Sequence, residues 1–547
     1  MTDLDEKMGL KISKVAGFLI IALAPFAALA FCVERSVASN ETPPSSSVCG
    51  DIQATIDQAI EEGTPRIELP AGAVCESGPL VIAKADGLIV EGRGAKVQFR
   101  DHGRPGLRIT EGSKNIHLRN FTIDYKNLPF TQGVVTAVDG SEFAFRIEGG
   151  YPSLIDLGRV DRAYLFDART RLWKPGVSTL YFRNLEPGAG GRSGKIALTV
   201  RYAGVVKVGD LIAFAPRGPA AINIDGLAGN VTVEGVTINS SPGMGIMTRF
   251  ATGHNRFQFK VDRGAPPLGA KVSRLLSTNS DAFNYAYSRV GPTIESSFIA
   301  GQGDDGVNLH ALVLAATGRD SQGIVLSRPF GGGAVIAKMV NPGDVVQFLA
   351  KDTFAVLGRA TVTNFVEIKD SRSISDEDMQ KMYPRSRMVA GRSISNFHLK
   401  VDGNIPPNVG YVDFPSLGAQ GFIIRDTTFE DSRGHAIVSA VSEGIIERNI
   451  VRRLTQNGIV IGPSYDPWRE GGWVKSVTVR DNHIEQTCLD PTTLTGPEAW
   501  ASGAISITAH LPQRIKAKSY NEDIILSGNK FYNHMCSSDE EERLSWN

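Results

Sequence analysis

Ile116-His117-Leu118-Arg119-Asn120-Phe121-Thr122-Ile123-Asp124 is a short apolar alternation, a polar pair and a second short alternation. The phrase returns as Val231-Thr232-Val233-Glu234-Gly235-Val236-Thr237-Ile238-Asn239 and as Ile423-Ile424-Arg425-Asp426-Thr427-Thr428-Phe429. It recurs as Ile445-Ile446-Glu447-Arg448-Asn449-Ile450, as Val477-Thr478-Val479-Arg480-Asp481-Asn482-His483-Ile484 and as Ile524-Ile525-Leu526-Ser527-Gly528-Asn529-Lys530-Phe531. Phe429 and Ile450 are 21 residues apart. Alternation with period two marks half-buried strands, and a repeat of this length is one coil of a parallel β-helix. A single coil cannot bury its own apolar face, whereas stacked coils can. The chain therefore reads as all-β, a solenoid of about ten coils.

Two segments break the rhythm. Residues 128–217 and 318–396 carry their own apolar alternations, each with a Gly-Asp turn before a strand (Gly209-Asp210 and Gly343-Asp344). They are predicted to be small inserted β-barrel-like domains, because patterned segments of this length are seldom structureless loops. Around them fall an N-terminal cap with the first coils (49–127), a central β-helix (218–317) and C-terminal coils (397–547). Asp51 to Gly63 has helical apolar spacing at Ile52, Ile56, Ala59 and Ile60, suited to covering the open end of the first coil.

The chain has 547 residues, with 58 Lys+Arg balanced by 58 Asp+Glu. Zero formal charge gives no reason to expect nucleic acid or an anionic membrane as partner. Residues 1–30 hold Lys11 and Lys14, then an apolar run from Val15 to Ala30 ending Ala28-Leu29-Ala30, the pattern of a signal peptide. A secreted or periplasmic location is expected, with an uncleaved anchor as the alternative. Residues 31–48, with Pro43-Pro44-Ser45-Ser46-Ser47, read as a linker. Export permits disulfides. Local pairing would join Cys49 to Cys75 and Cys488 to Cys536, one of the arrangements that spacing allows.

The chemistry is concentrated in Asn279-Ser280-Asp281-Ala282-Phe283-Asn284 and Gly303-Asp304-Asp305-Gly306-Val307-Asn308-Leu309-His310. The two align at an offset of 24 residues, placing Asp281 on Asp305 and Asn284 on Asn308. Equivalent positions on neighbouring coils lie about 4.8 Å apart, so Asp281, Asp304 and Asp305 should cluster. Aspartates often serve turns, but clustered like charges mark sites. Acid–base chemistry on a sugar needs one carboxyl neutral and another ionised. In strict strand geometry Asp305 would share the inward face with Val307 and Leu309, so the Gly303–Gly306 segment must leave strand geometry. Asn308 and His310 fall outward and are candidates for sugar hydroxyls.

With Asp281 on one coil and Asp304-Asp305 on the next, the sequence resembles the right-handed parallel β-helix glycoside hydrolases. It shares Asn-x-Asp and Asp-Asp with the family 28 polygalacturonases but lacks their later Gly-His-Gly and Arg-Ile-Lys in place. It more closely resembles glycoside hydrolase family 110, exo-acting α-1,3-galactosidases. The matching residues are Pro129-Phe130-Thr131-Gln132-Gly133, Gly149-Gly150-Tyr151-Pro152, Leu165-Phe166-Asp167, the aspartates with Asn308-Leu309-His310, Ser432-Arg433-Gly434-His435 and Trp468-Arg469-Glu470. Ala311 and Ala436-Ile437 depart from the family pattern. The resemblance implies an inverting hydrolase without metal or other cofactor, acting on oligo- or polysaccharides that end in α-galactose. It implies Asp304 as general acid and Asp281 with Asp305 as the base pair. Asn279, Asn308, His310, Arg433, His435, Trp468 and Glu470 are then candidates to bind substrate. A uronic-acid hydrolase or lyase would need a basic cluster, and none adjoins Asp304-Asp305 in sequence. A non-catalytic carbohydrate-binding β-helix would need no carboxylate cluster. The sequence leaves a homo-oligomer open.

Overall fold

The computed structural model describes residues 49–177, 179–198, 204–369, 375–384, 394–490, 503–511, 519–533 and 536. The predicted signal peptide and linker lie outside them. Helix α1, Ile52–Glu62, is capped by the Asp51 side chain, which accepts from Ala54 N–H, and by Gly63 at φ 67°. It buries Ile52, Ile56 and Ala59 in the core that runs through the coils.

Those coils form a right-handed parallel β-helix. One face is a nine-stranded parallel sheet, and an eighteen-stranded sheet makes the others. The polar pair of the repeated phrase is the corner between two strips of the larger sheet. Asn120, Ser296, Asp426, Arg448 and Asp481 all sit there with φ between 48° and 57°, and Gly235 and Gly528 take 63° and 64°. Asparagine and aspartate tolerate this left-handed region better than most residues, and glycine adopts it freely. Beside the corner Asn449 donates to Asn482 Oδ1, and Asn482 to Asn529 Oδ1, each at 2.9 Å. The same two amides also reach the carbonyls of Ile424 and Ile446. Buried corner polarity is thereby satisfied from coil to coil.

Both insertions are closed antiparallel barrels. The first runs from Thr131 to Phe214. The second runs from Leu312 to Phe414, wider than the 318–396 read from sequence, so the C-terminal coils resume at Ile423 rather than at 397. Leu312-Val313-Leu314-Ala315 is buried at every position, so it has no alternation to separate it from a coil strand. Disulfides join Cys49 to Cys75 near the capping helix and Cys488 to Cys536 near the last coils, the local pairing.

Candidate active site

Four consecutive strands of the nine-stranded sheet carry the site: β1 (Ile246–Arg249), β2 (Phe283–Ala286), β3 (Val307–His310) and β4 (Ile437–Ala440). Their register places Phe283 on Val307 and Asn284 on Asn308, the offset of 24 residues found in the sequence. It also stacks Met247 on Asn284 and Arg249 on Ala286, which in turn lies on His310. Ile246, Phe283, Val307 and Ile437 point into the core, so Met247, Asn284 and Asn308 face outward.

The aspartates occupy the approach to these strands. Ala282 N–H donates to the Asp305 carbonyl and Gly306 N–H to that of His435, which stacks Asp281, Asp305 and His435 in a column. Strand β3 begins only at Val307, so Asp305 is free of strand alternation. A Cβ on Gly306 would lie 2.5 Å from the Ala436 carbonyl, and one on Gly434 2.7 Å from the Asp304 backbone. Glycine is required there for close approach of neighbouring coils.

Asp281, Asp304 and Asp305 each offer an oxygen within 4.8 Å of the others. That spacing could hold a cation, although Arg217 and Arg433 already donate to Asp304. Two guanidiniums on one carboxylate favour its ionised form. Arg433 is itself fixed by the Thr179 hydroxyl of the first barrel at 3.0 Å. Asp281 accepts from Asn284 Nδ2 at 2.7 Å and from the Ser280 hydroxyl at 3.2 Å. Asp305 accepts from the His435 N–H at 3.0 Å. Burial, and then the charge of Asp281, push the Asp305 carboxyl up to about 7.

Glu470 reaches the same face from the loop after Pro467. It accepts from Asn308 Nδ2 at 3.3 Å and lies 3.7 Å from His310 Nε2. Burial and Asp281 raise it to about 7 as well. His310 is held well below the ordinary imidazole range by burial and by Arg249 and Arg328. Burial and Arg433 lower His435 to about 3. Among the described residues Asn284 Oδ1, Asn308 Oδ1 and both His310 ring nitrogens are buried without a hydrogen-bond partner. Buried polar atoms are seldom left so, and convergent unsatisfied donors and acceptors beside carboxyls suit a polyhydroxylated ligand.

One reading gains a structural role and one needs correction. Asn279 is fully buried, and its amide donates to the carbonyls of Pro129 and Pro216, both at 2.8 Å. Its amide nitrogen ties the two ends of the first barrel to the β-helix, and its Oδ1 is buried without a hydrogen-bond partner among the described residues. The lack of a basic cluster holds only along the sequence, because Arg217 and Arg433 come from distant segments. Trp468 is 41% exposed on the loop that carries Glu470. Sequence reasoning missed Arg217, Arg249, Arg328 and Asn284. Arg249 had a signal, since Ile246-Met247-Thr248-Arg249 repeats the form of Val307-Asn308-Leu309-His310. The lengthened loop after Val261 hid the register.

No family model matches the chain. It is 22% identical to alpha-1,3-galactosidase A of Bacteroides fragilis over 425 residues, covering 74% of this chain and 64% of that protein. It is 21% identical to alpha-1,3-galactosidase B of Parabacteroides distasonis, covering 81% and 71%. The chain thus spans a little under two thirds of the first relative's length. Among solved structures, the Dettilon tailspike protein is 10% identical with a TM-score of 0.33, over 89% of this chain and 66% of that one. An Azotobacter vinelandii mannuronan C-5 epimerase A-module is 11% identical with a TM-score of 0.27, over 89% and 93%.

Proposed function

We propose that this protein is an exported glycoside hydrolase that releases terminal α-linked galactose with inversion. The observation that carries the reading is the Asp281–Asp304–Asp305 cluster beside the unsatisfied face of Asn284, Asn308 and His310. The names of the similar proteins support galactose as the sugar, and the apolar run of residues 15–30 supports export. Asp281 and Asp305 act as the base. They stack on adjacent coils, and a carboxyl near 7 accepts a proton from water more readily than an ordinary one.

The resemblance gives the proton-donor role to Asp304. A second reading gives it to Glu470, which holds a proton near neutrality while Asp304 is paired with two cations. Spacing also tells against Asp304. The three aspartates offer oxygens within 4.8 Å of one another, closer than the roughly 6.5–9.5 Å usual between acid and base in inverting enzymes. The purified chain is expected to release galactose from α-1,3-galactosyl oligosaccharides, with β-galactose the first anomer seen by NMR. No release from any α-galactoside, or α-galactose appearing first, would overturn the reading.

A further inference from the structure

Most cations near the site are neutralised. Arg217 and Arg433 pair with Asp304, Arg274 with Asp124 and Arg289 with Asp344. Arg249 and Arg328 are different. Neither has a carboxylate within ion-pair distance among the described residues. Each guanidinium makes one hydrogen bond to protein there, Arg249 to the Thr248 carbonyl and Arg328 to that of Gly331, both at 2.9 Å. A guanidinium has five donors in a planar fork, so most of their capacity is unused.

The two come from different parts of the fold and meet at one ring. Arg249 ends β1, with Ala286 beside it in register. Arg328 ends the strand Gly323–Arg328 of the second barrel and is only 7% exposed. Their Cζ atoms lie 5.5 and 5.0 Å from the centre of the Tyr287 ring. Arg328 also stands over Phe330 at 5.3 Å. The Tyr287 ring meets His310 edge-on at 5.1 Å, so the pair borders the unsatisfied imidazole. Asp281 and Glu470 contribute attraction to Arg249 from a distance, while Arg328 opposes it. Stacking on aromatics offsets part of the cost of holding two like charges together. It leaves the forks open to a ligand.

We propose that Arg249 and Arg328 form a subsite for an anionic substituent of the glycan, a sulfate ester or a carboxylate. A neutral galactose needs donors but not two uncompensated cations. A tetrahedral sulfate or planar carboxylate can take paired N–H groups from both, and His310 can add a hydrogen bond. The inference rests on the carbohydrate reading of the same face and narrows its substrate class to charged galactans.

The test is calorimetric binding of galactose, galactose 6-sulfate and galacturonic acid to the full chain, with α-galactoside hydrolysis measured in parallel. At least one anionic sugar should bind about tenfold or more tightly than galactose. Whichever does so distinguishes sulfate from carboxylate. The preference should shrink between about 50 mM and about 500 mM salt, largely vanish in R249Q and R328Q, and persist in R328K. Equal affinity for all three sugars in the wild type, or a preference that survives both glutamine variants or is indifferent to salt, would overturn the subsite. Anionic preference without hydrolysis of any α-galactoside would keep the subsite and overturn the galactosidase reading. Hydrolysis of neutral galactosides with no anionic preference would do the reverse.

Discussion

Asp304 accepts from Arg217 and Arg433, whereas Glu470 and Asp305 are crowded by protein and by the charge of Asp281. Asp305 and Glu470 are thus both poised to exchange a proton near neutrality, as acid–base work requires. Replacing the true donor should cost on the order of 10²–10⁴ in rate on natural glycosides and much less on nitrophenyl glycosides, whose leaving group needs little protonation. Measuring D304N and E470Q on both substrate types therefore identifies the donor. An equal deficit for both substrates in both variants would remove each from that role. As a base, Asp305 must be ionised, so activity should fall as pH drops below about 7. If Glu470 is the donor, activity should also fall as pH rises above about 7. D281N removes a charge that raises both groups, so the acid limb of its residual activity should move to lower pH. An unmoved limb would mean that a different group sets it.

At the scale of strands and corners, the repeated phrase carries the fold because each part has a separate physical task. The alternation fills the core, and the polar pair takes the left-handed corner and hydrogen-bonds along the stack. Asn482 is the middle of that stack, donating to Asn529 Oδ1 and to the Ile446 carbonyl while accepting from Asn449. N482A should cost about 1–3 kcal/mol of stability, because partners on both sides lose their bonds in a buried place. Urea unfolding measures this, and a loss below about 0.5 kcal/mol would show that relaxation or water satisfies the corner. Regular elements of this kind were legible in the sequence, as was the register that stacks Asp281 on Asp305. The second barrel's limits were not, because Leu312–Ala315 is buried on both faces. The anchoring role of Asn279 was not legible because its partners, Pro129 and Pro216, lie about 150 and 63 residues away and become neighbours only when the first barrel closes. Arg217 and Arg328 were invisible for the same reason.

Across the whole molecule, the second barrel holds the loop that delivers Glu470. Tyr465 stacks on Phe354 with ring centres 4.7 Å apart, and Trp473 donates to the Phe354 carbonyl at 3.1 Å. Arg469 reaches the Met382 carbonyl at 2.6 Å. At the centre of this junction Asp413, fully buried on the strand Val409–Phe414, accepts from the Tyr465 hydroxyl at 3.1 Å. Gly471 and Gly472 pack directly against its carboxyl. Burial pushes Asp413 up to about 7, from about 4 in an unfolded chain. Between those two values the folded protein binds the extra proton, so its stability must fall as pH rises through the window. The full shift corresponds to on the order of 4 kcal/mol. Asp305 and Glu470 act in the same direction. Paired carboxylates such as Glu447, Asp426 and Asp161 are lowered and act oppositely, but only at more acidic pH. Stability should therefore peak near pH 5 and decline toward pH 8. D413N keeps the shape and removes the ionisation, so it should flatten that decline. Relative to wild type it should gain stability from pH 5 to pH 8, whatever its absolute stability. Urea midpoints for both proteins at the two pH values decide the matter. Parallel pH dependence in wild type and D413N would mean that Asp413 does not change protonation on unfolding in this range.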